Sequence, residues 1–179
     1  MAQPIQDNAV IPVSVTLNSI LRLTVVTGGN IEFVVNTIDQ YTSGIVNGAR
    51  YTTNFTVSSS VDFDVEMSTE DASFLGTDNP TSTMPLNNVG YTVVANAAAS
   101  GADPANWALS TITGLSQAAN KIVTGVLNAS AGSADQNNFD IQWEMGTSAG
   151  GGMNAQSLLQ QSISPDRYVT SVYLQLIGK

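Results

Sequence analysis

Apolar and polar residues alternate along most of this chain with a period of two, the spacing that puts every second side chain on one face of a β-strand. In Ile11-Pro-Val-Ser-Val-Thr-Leu17 the apolar positions are 11, 13, 15 and 17. Ser19 to Thr27 repeats the pattern with Leu21, Leu23 and Val25 set against Arg22 and Thr24. Gly28-Gly29-Asn30 then supplies turn residues that accept positive φ, so Ile31 to Ile38 is predicted to fold back as the second arm of a hairpin. From Tyr51 to Met67 the alternation runs too long for one strand of an ordinary domain, and it is predicted to break at Ser58-Ser59-Ser60.

Further strands are expected at Gly90–Ala95, Lys121–Leu127, Asn138–Met145 and Tyr168–Ile177. The stretch 71–88, with Gly76, Pro80 and Pro85, reads as a long loop. Asp103-Pro104 is placed to cap one helical turn carrying Trp107, and 155–161 can form a short helix. Ser148 to Met153, with three glycines in a row, reads as a flexible loop. No segment keeps a long helical period. The expected fold is all-β: an antiparallel β-sandwich of immunoglobulin-like or pilin-like type, with about eight to ten strands, long loops and at most one or two short helices. Residues 1–10 form an extended N-terminal arm and 11–179 one sandwich domain.

Composition narrows the chemistry. The chain has 179 residues without a cysteine or a histidine. Disulfides and thiolate sites are therefore impossible, and the commonest zinc ligand and neutral-pH base is missing. Only 11 % of residues are charged, fourteen acids against five bases, for a net charge of -9. That charge repels phosphate backbones, so nucleic-acid binding is not expected. No apolar run approaches the roughly 20 residues of a membrane span. Met1 reads either as the start residue or as the residue after a removed leader, given the small residues around Ala2. A cysteine-free, acidic chain rich in Ser, Thr and Asn fits an extracellular protein of the bacterial surface, and equally a phage or virion surface protein.

The densest acidic stretch is Val61 to Asp71, with Asp62, Asp64, Glu66, Glu70 and Asp71. Asp62, Asp64 and Glu66 share a strand face opposite Val61, Phe63, Val65 and Met67. Neighbouring carboxylates on that face stand about 7 Å apart, too far for a pair to hold one cation unaided. A solvated face that discourages stray edge pairing is the expected role, with a calcium site as the weaker candidate. Asp140 and Glu144 flank Trp143 on another strand, but Trp143 alternates with Phe139, Ile141 and Met145 as a core residue. No catalytic residue and no cofactor is assigned. Gly150-Gly151-Gly152 lacks the lysine of a phosphate loop. Asn54-Phe-Thr56 and Asn128-Ala-Ser130 match glycosylation sequons.

The run Ser164-Pro-Asp-Arg-Tyr168 leading into an alternating C-terminal strand, together with the order of Phe55–Ser58, Val61–Met67 and Met84–Val93, resembles secreted bacterial fimbrial or pilin-like β-sandwich subunits. The resemblance is one of layout, with Asp-Arg in place of the usual glycine and without the disulfide of many pilins. It implies a non-enzymatic structural subunit of a surface filament whose partners are other copies of itself. Ile11, Val13, Val15 and Leu17 are then the candidate contacts for adding a strand to a neighbour; otherwise they form the first strand of their own domain. A second expectation is a polysaccharide-binding or host-adhesion module, with calcium held by the 62–71 acids or with exposed aromatics such as Tyr41 and Trp107.

Overall fold

The computed structural model describes residues 12–46, 48–97, 101 and 103–179. The arm 1–10 and Ile11 lie outside them. Among the described residues twelve strands form: β1 (Leu21–Thr27), β2 (Thr52–Ser59), β3 (Phe63–Thr69), β4 (Ser73–Gly76), β5 (Thr83–Pro85) and β6 (Val89–Ala95). They continue as β7 (Trp107–Leu109), β8 (Thr113–Gly114), β9 (Asn120–Gly125), β10 (Asn138–Met145), β11 (Tyr168–Val169) and β12 (Val172–Gly178). All pairings are antiparallel. One sheet runs β1-β2-β10-β6-β8, a second β12-β3-β9-β7, and a small third sheet runs β11-β4-β5. The chain is an all-β antiparallel sandwich.

The two-residue rhythm explains the core. Phe55 and Val57 on β2, Tyr91 and Val93 on β6, and Phe139, Ile141 and Trp143 on β10 point inward from one sheet. Phe63, Val65 and Met67 on β3 and Ile122 and Val123 on β9 meet them from the other. Trp107 joins the layers, its ring meeting Phe139 edge-on at 5.1 Å. Buried polar tips are satisfied: the Trp107 indole donates to Asn137 Oδ1 at 3.1 Å and the Trp143 indole to Thr53 Oγ1 at 2.9 Å. Trp107 is therefore a core residue, and the expectation that it is an exposed platform is corrected. Its neighbours Asp103 and Pro104 form the capped single turn anticipated for them.

The expected hairpin at Gly28-Gly29-Asn30 is not formed. Gly28 has φ +68 and lies so close to β2 that a Cβ there would sit 2.1 Å from the Thr52 carbonyl oxygen. The chain is thus pressed against β2, and β1 takes β2 as its partner. Residues 31–36 form no strand and alternate half-buried with exposed, Ile31 and Phe33 packing against the core without a ladder. Phe33 stacks on Tyr51 at 4.5 Å. Instead of continuing as a strand, the segment enters α1 (Ile38–Ser43), which Thr37 and Gln40 cap reciprocally.

Three smaller expectations also change. The predicted loop 71–88 contains the β4–β5 hairpin and one 3-10 turn, Leu86–Asn88. The C-terminal strand divides into β11 and β12, which serve different sheets. The triple glycine is a place of close approach: Gly151, at φ +59, would place a Cβ 1.9 Å from the Ile112 carbonyl oxygen, and its own carbonyl accepts from Gly114.

Candidate functional site

The acidic stretch divides on folding. Asp62 turns to the loop after β9 and accepts from the amides of Asn128, Ser130 and Ala131 and from the Ser130 hydroxyl. The Asn128 amide, ahead of the others, holds its carboxyl below the usual range, against a smaller upward push from burial. Asp64 is 4 % exposed. Burial is the strongest influence on it and raises its pKa. Lys121 Nζ at 2.8 Å, Lys179 Nζ at 2.7 Å and the Gly125 amide at 3.0 Å together outweigh that and leave it lowered.

The solvated face expected for the row is therefore corrected at Asp64, which is a buried counter-ion. Two neighbouring elements each bring a lysine to one point on β3, and that desolvated carboxylate joins them. Glu66 lies half-buried opposite Lys121, Glu70 is exposed beside Tyr173, and Asp71 accepts from Thr170. Each carboxylate thus has its own local surroundings. Among the described residues no group of three or more carboxylates is gathered around a point that could take a metal. Millimolar calcium is accordingly expected to leave the melting temperature unchanged in a thermal-shift titration. A rise of several degrees would show that the row rearranges into a cation site.

The second pair of acids also separates. Glu144 is buried and accepts from Thr147, whereas Asp140 lies on the outward face of β10. Four residues along a strand place them about 13 Å apart, beyond the roughly 5–9.5 Å of glycosidase carboxylate pairs. Tyr41, on α1, is half-buried.

The segment 12–20 differs from the rest of the described chain. It forms no strand despite its alternation, so the expectation of a first strand there is corrected for its described residues. Val13, Val15 and Leu17 are 84 %, 78 % and 90 % exposed. Among the described residues its hydrogen bonds are made at its end, where Ile20 is tied to Ser60. Three apolar side chains of one alternating segment thus lie in water.

Beyond Ile20 begins a side of the sandwich whose core is incompletely covered. β1 and β12 are the edge strands of the two main sheets and approach each other there. A Cβ on Gly178 would be 3.6 Å from the Leu21 side chain. By register, Leu23 and Val25 lie opposite the core residues Val57 and Phe55, and Leu174 and Leu176 lie opposite Met67 and Val65. These positions face inward, yet Val25 is 44 % exposed, as is Leu21 at 41 % beside it. Edge strands with unpaired backbone groups and half-covered apolar rows accept another strand readily. Sequence alternation identified the rows; their exposure depends on which strands ended at the edges. No protein-family model and no curated protein matches the sequence.

Proposed function

We propose that this protein is a non-enzymatic structural subunit that polymerises into a filament on the bacterial surface, joined by donation of the 12–17 segment to the β1/β12 edge of the next copy. The observation that carries this reading is the pairing of an unsatisfied donor with an under-covered acceptor in one chain. Val13, Val15 and Leu17 span about 13 Å of extended chain, as do Leu21, Leu23 and Val25 on β1. Backbone hydrogen bonds from the edge would supply affinity and the alternate side chains would supply register.

In its own subunit the 12–17 segment is unpaired: it joins no strand, and β1, which follows it, takes only β2 as partner among the described residues. Donation from one copy to the next is head-to-tail and does not close, so it propagates. The neutral polar surface and the absence of cysteine and histidine support an extracellular scaffold more than a reactive site.

Purified protein examined by negative-stain microscopy and sedimentation velocity should show fibres or a ladder of oligomers that lengthens with concentration. Monomers alone, across concentration and ionic strength, would overturn the proposal.

A further inference from the structure

A separate feature lies on the outer face of the five-stranded sheet, where β2, β10 and the end of β6 form the floor of a shallow depression of about 590 Å³. Its size falls within the about 300–1,000 Å³ of small-molecule sites. Thr27, Thr52, Asn54, Asn96, Asp140 and Gln142 contribute to its lining. Asp140 occupies the centre of a fixed network. Asn54 Nδ2 donates to Asp140 Oδ1 at 2.8 Å, and Asn96 Nδ2 donates to Asp140 Oδ2 at 2.8 Å. Asn54 is itself anchored, donating to Asn138 Oδ1 at 2.6 Å and to the Phe139 carbonyl at 3.1 Å.

Two amides therefore lock the plane of one carboxylate, and each of its oxygens retains a further accepting direction. These groups stand on adjacent paired strands, which hold a constellation more rigidly than loops do. Beside them, the Gln142 amide and Asn54 Oδ1 make no hydrogen bond among the described residues.

We propose that this depression binds a neutral, hydroxyl-rich ligand, a carbohydrate chain, with Asp140 accepting from adjacent hydroxyls and Gln142 and Asn54 completing the contacts. The chemistry of the lining selects that class. Among the described residues no lysine or arginine lines it, and a chain of net charge -9 disfavours phosphates, sulfates and acidic sugars. The described lining holds no large apolar side chain either, so a hydrophobic ligand would gain little by entering. A fixed carboxylate flanked by amides offers the mixed donors and acceptors that paired hydroxyls match, and these contacts form without reorganising the protein. The depression touches β1 only at its last residue, Thr27, whereas the proposed acceptor row is Leu21, Leu23 and Val25, so Asp140 and Gln142 can be changed without altering that row.

Saturation-transfer difference NMR on the full chain, with maltose, cellobiose, N,N′-diacetylchitobiose and mannobiose as probes, tests this site. At least one should receive saturation with an affinity of about 1 mM, the range expected for a few hydrogen bonds on an open surface. Asp140→Ala should weaken that disaccharide by about tenfold or more, as loss of a charged acceptor implies. Gln142→Ala removes a side chain that makes no hydrogen bond among the described residues, so it tests the site even if Asp140→Ala fails to fold, and it should also weaken binding. Sedimentation of Gln142→Ala should match the parent, which separates failure here from failure of the assembly proposal. No transfer from any of the four sugars, or transfer that persists in Gln142→Ala and in folded Asp140→Ala, would overturn the inference. Binding of cadaverine at Asp140 without any sugar response would also overturn it, by identifying a cation site.

Discussion

A triple variant with Val13, Val15 and Leu17 replaced by serine will form no polymers, and it will melt where the parent melts at concentrations low enough to keep the parent monomeric, because assembly itself raises the parent's melting temperature. The three side chains are almost fully exposed in the subunit, so removing them takes nothing from its own core. In a donated strand each would be buried against a neighbour's β1/β12 rows, at about 1.5 kcal/mol or more apiece. Losing about 5 kcal/mol weakens association by more than a thousandfold. Sedimentation velocity and microscopy measure the assembly, and circular dichroism measures the melt. A melting temperature below that of the monomeric parent would mean that the segment packs on its own domain. Unchanged polymers would mean that contacts elsewhere join the subunits. Val15→Asp, which places a charge at the middle of the ladder, should reproduce most of the effect.

Asp64→Asn will be the most damaging single polar substitution on β3. The carboxylate is the shared partner of two lysines from different elements, and its side chain is 5 % exposed. Breaking a buried ion pair by removing one member costs about 3–5 kcal/mol. About 3 kcal/mol is an upper bound here, because Lys121 is half-exposed and Lys179 partly exposed, so both recover water. That bound corresponds to a fall of roughly 6–12 °C in melting temperature for a chain of this size.

The same pair determines an acid limit. Asp64 is depressed in the folded state, so its contribution is complete above the ordinary carboxylate value near 4 and is lost as pH falls below it. Between parent and variant the stability gap should therefore be constant from about pH 7 to 5 and shrink below about pH 4. Asp62 and Asp166, also depressed by backbone amides, steepen acid unfolding in both proteins and cancel from the difference. Denaturant titrations at several pH values measure the gap. A gap that stays the same down to pH 3 would show that Asp64 acts through packing and not through its charge.

Particular stretches show how far the sequence could be read. Asn138–Met145 was legible because Phe139, Ile141 and Trp143 alternate without interruption and the strand is paired on both sides. Phe55 to Met67 was legible too, and it breaks beside the serine run where expected. Residues 31–36 were misleading, since the same alternation serves a segment that packs without pairing. Trp107 gave no local sign of burial, because its cover comes from Phe139 and Asn137 in later segments. Asp64 looked like its neighbours Asp62 and Glu66. Its burial depends on Lys179, more than a hundred residues away, reaching across β3.

The candidate surfaces follow the same division. The apolar rows of 13–17 and 21–25 were visible as patterns, while their exposure was not. The Asn54–Asp140–Asn96 network was not legible at all, because it joins three strands far apart in the chain.

The chain by itself determined the alternating strands, the absence of thiol and imidazole chemistry, and the negative charge, all of them properties of residue type and of spacing within one segment. Tertiary structure alone decided which alternating segments pair, which strands end at an edge, and which carboxylate loses its water. Those outcomes depend on the cover that distant segments supply, and burial, unlike periodicity, cannot be assigned to one stretch of chain.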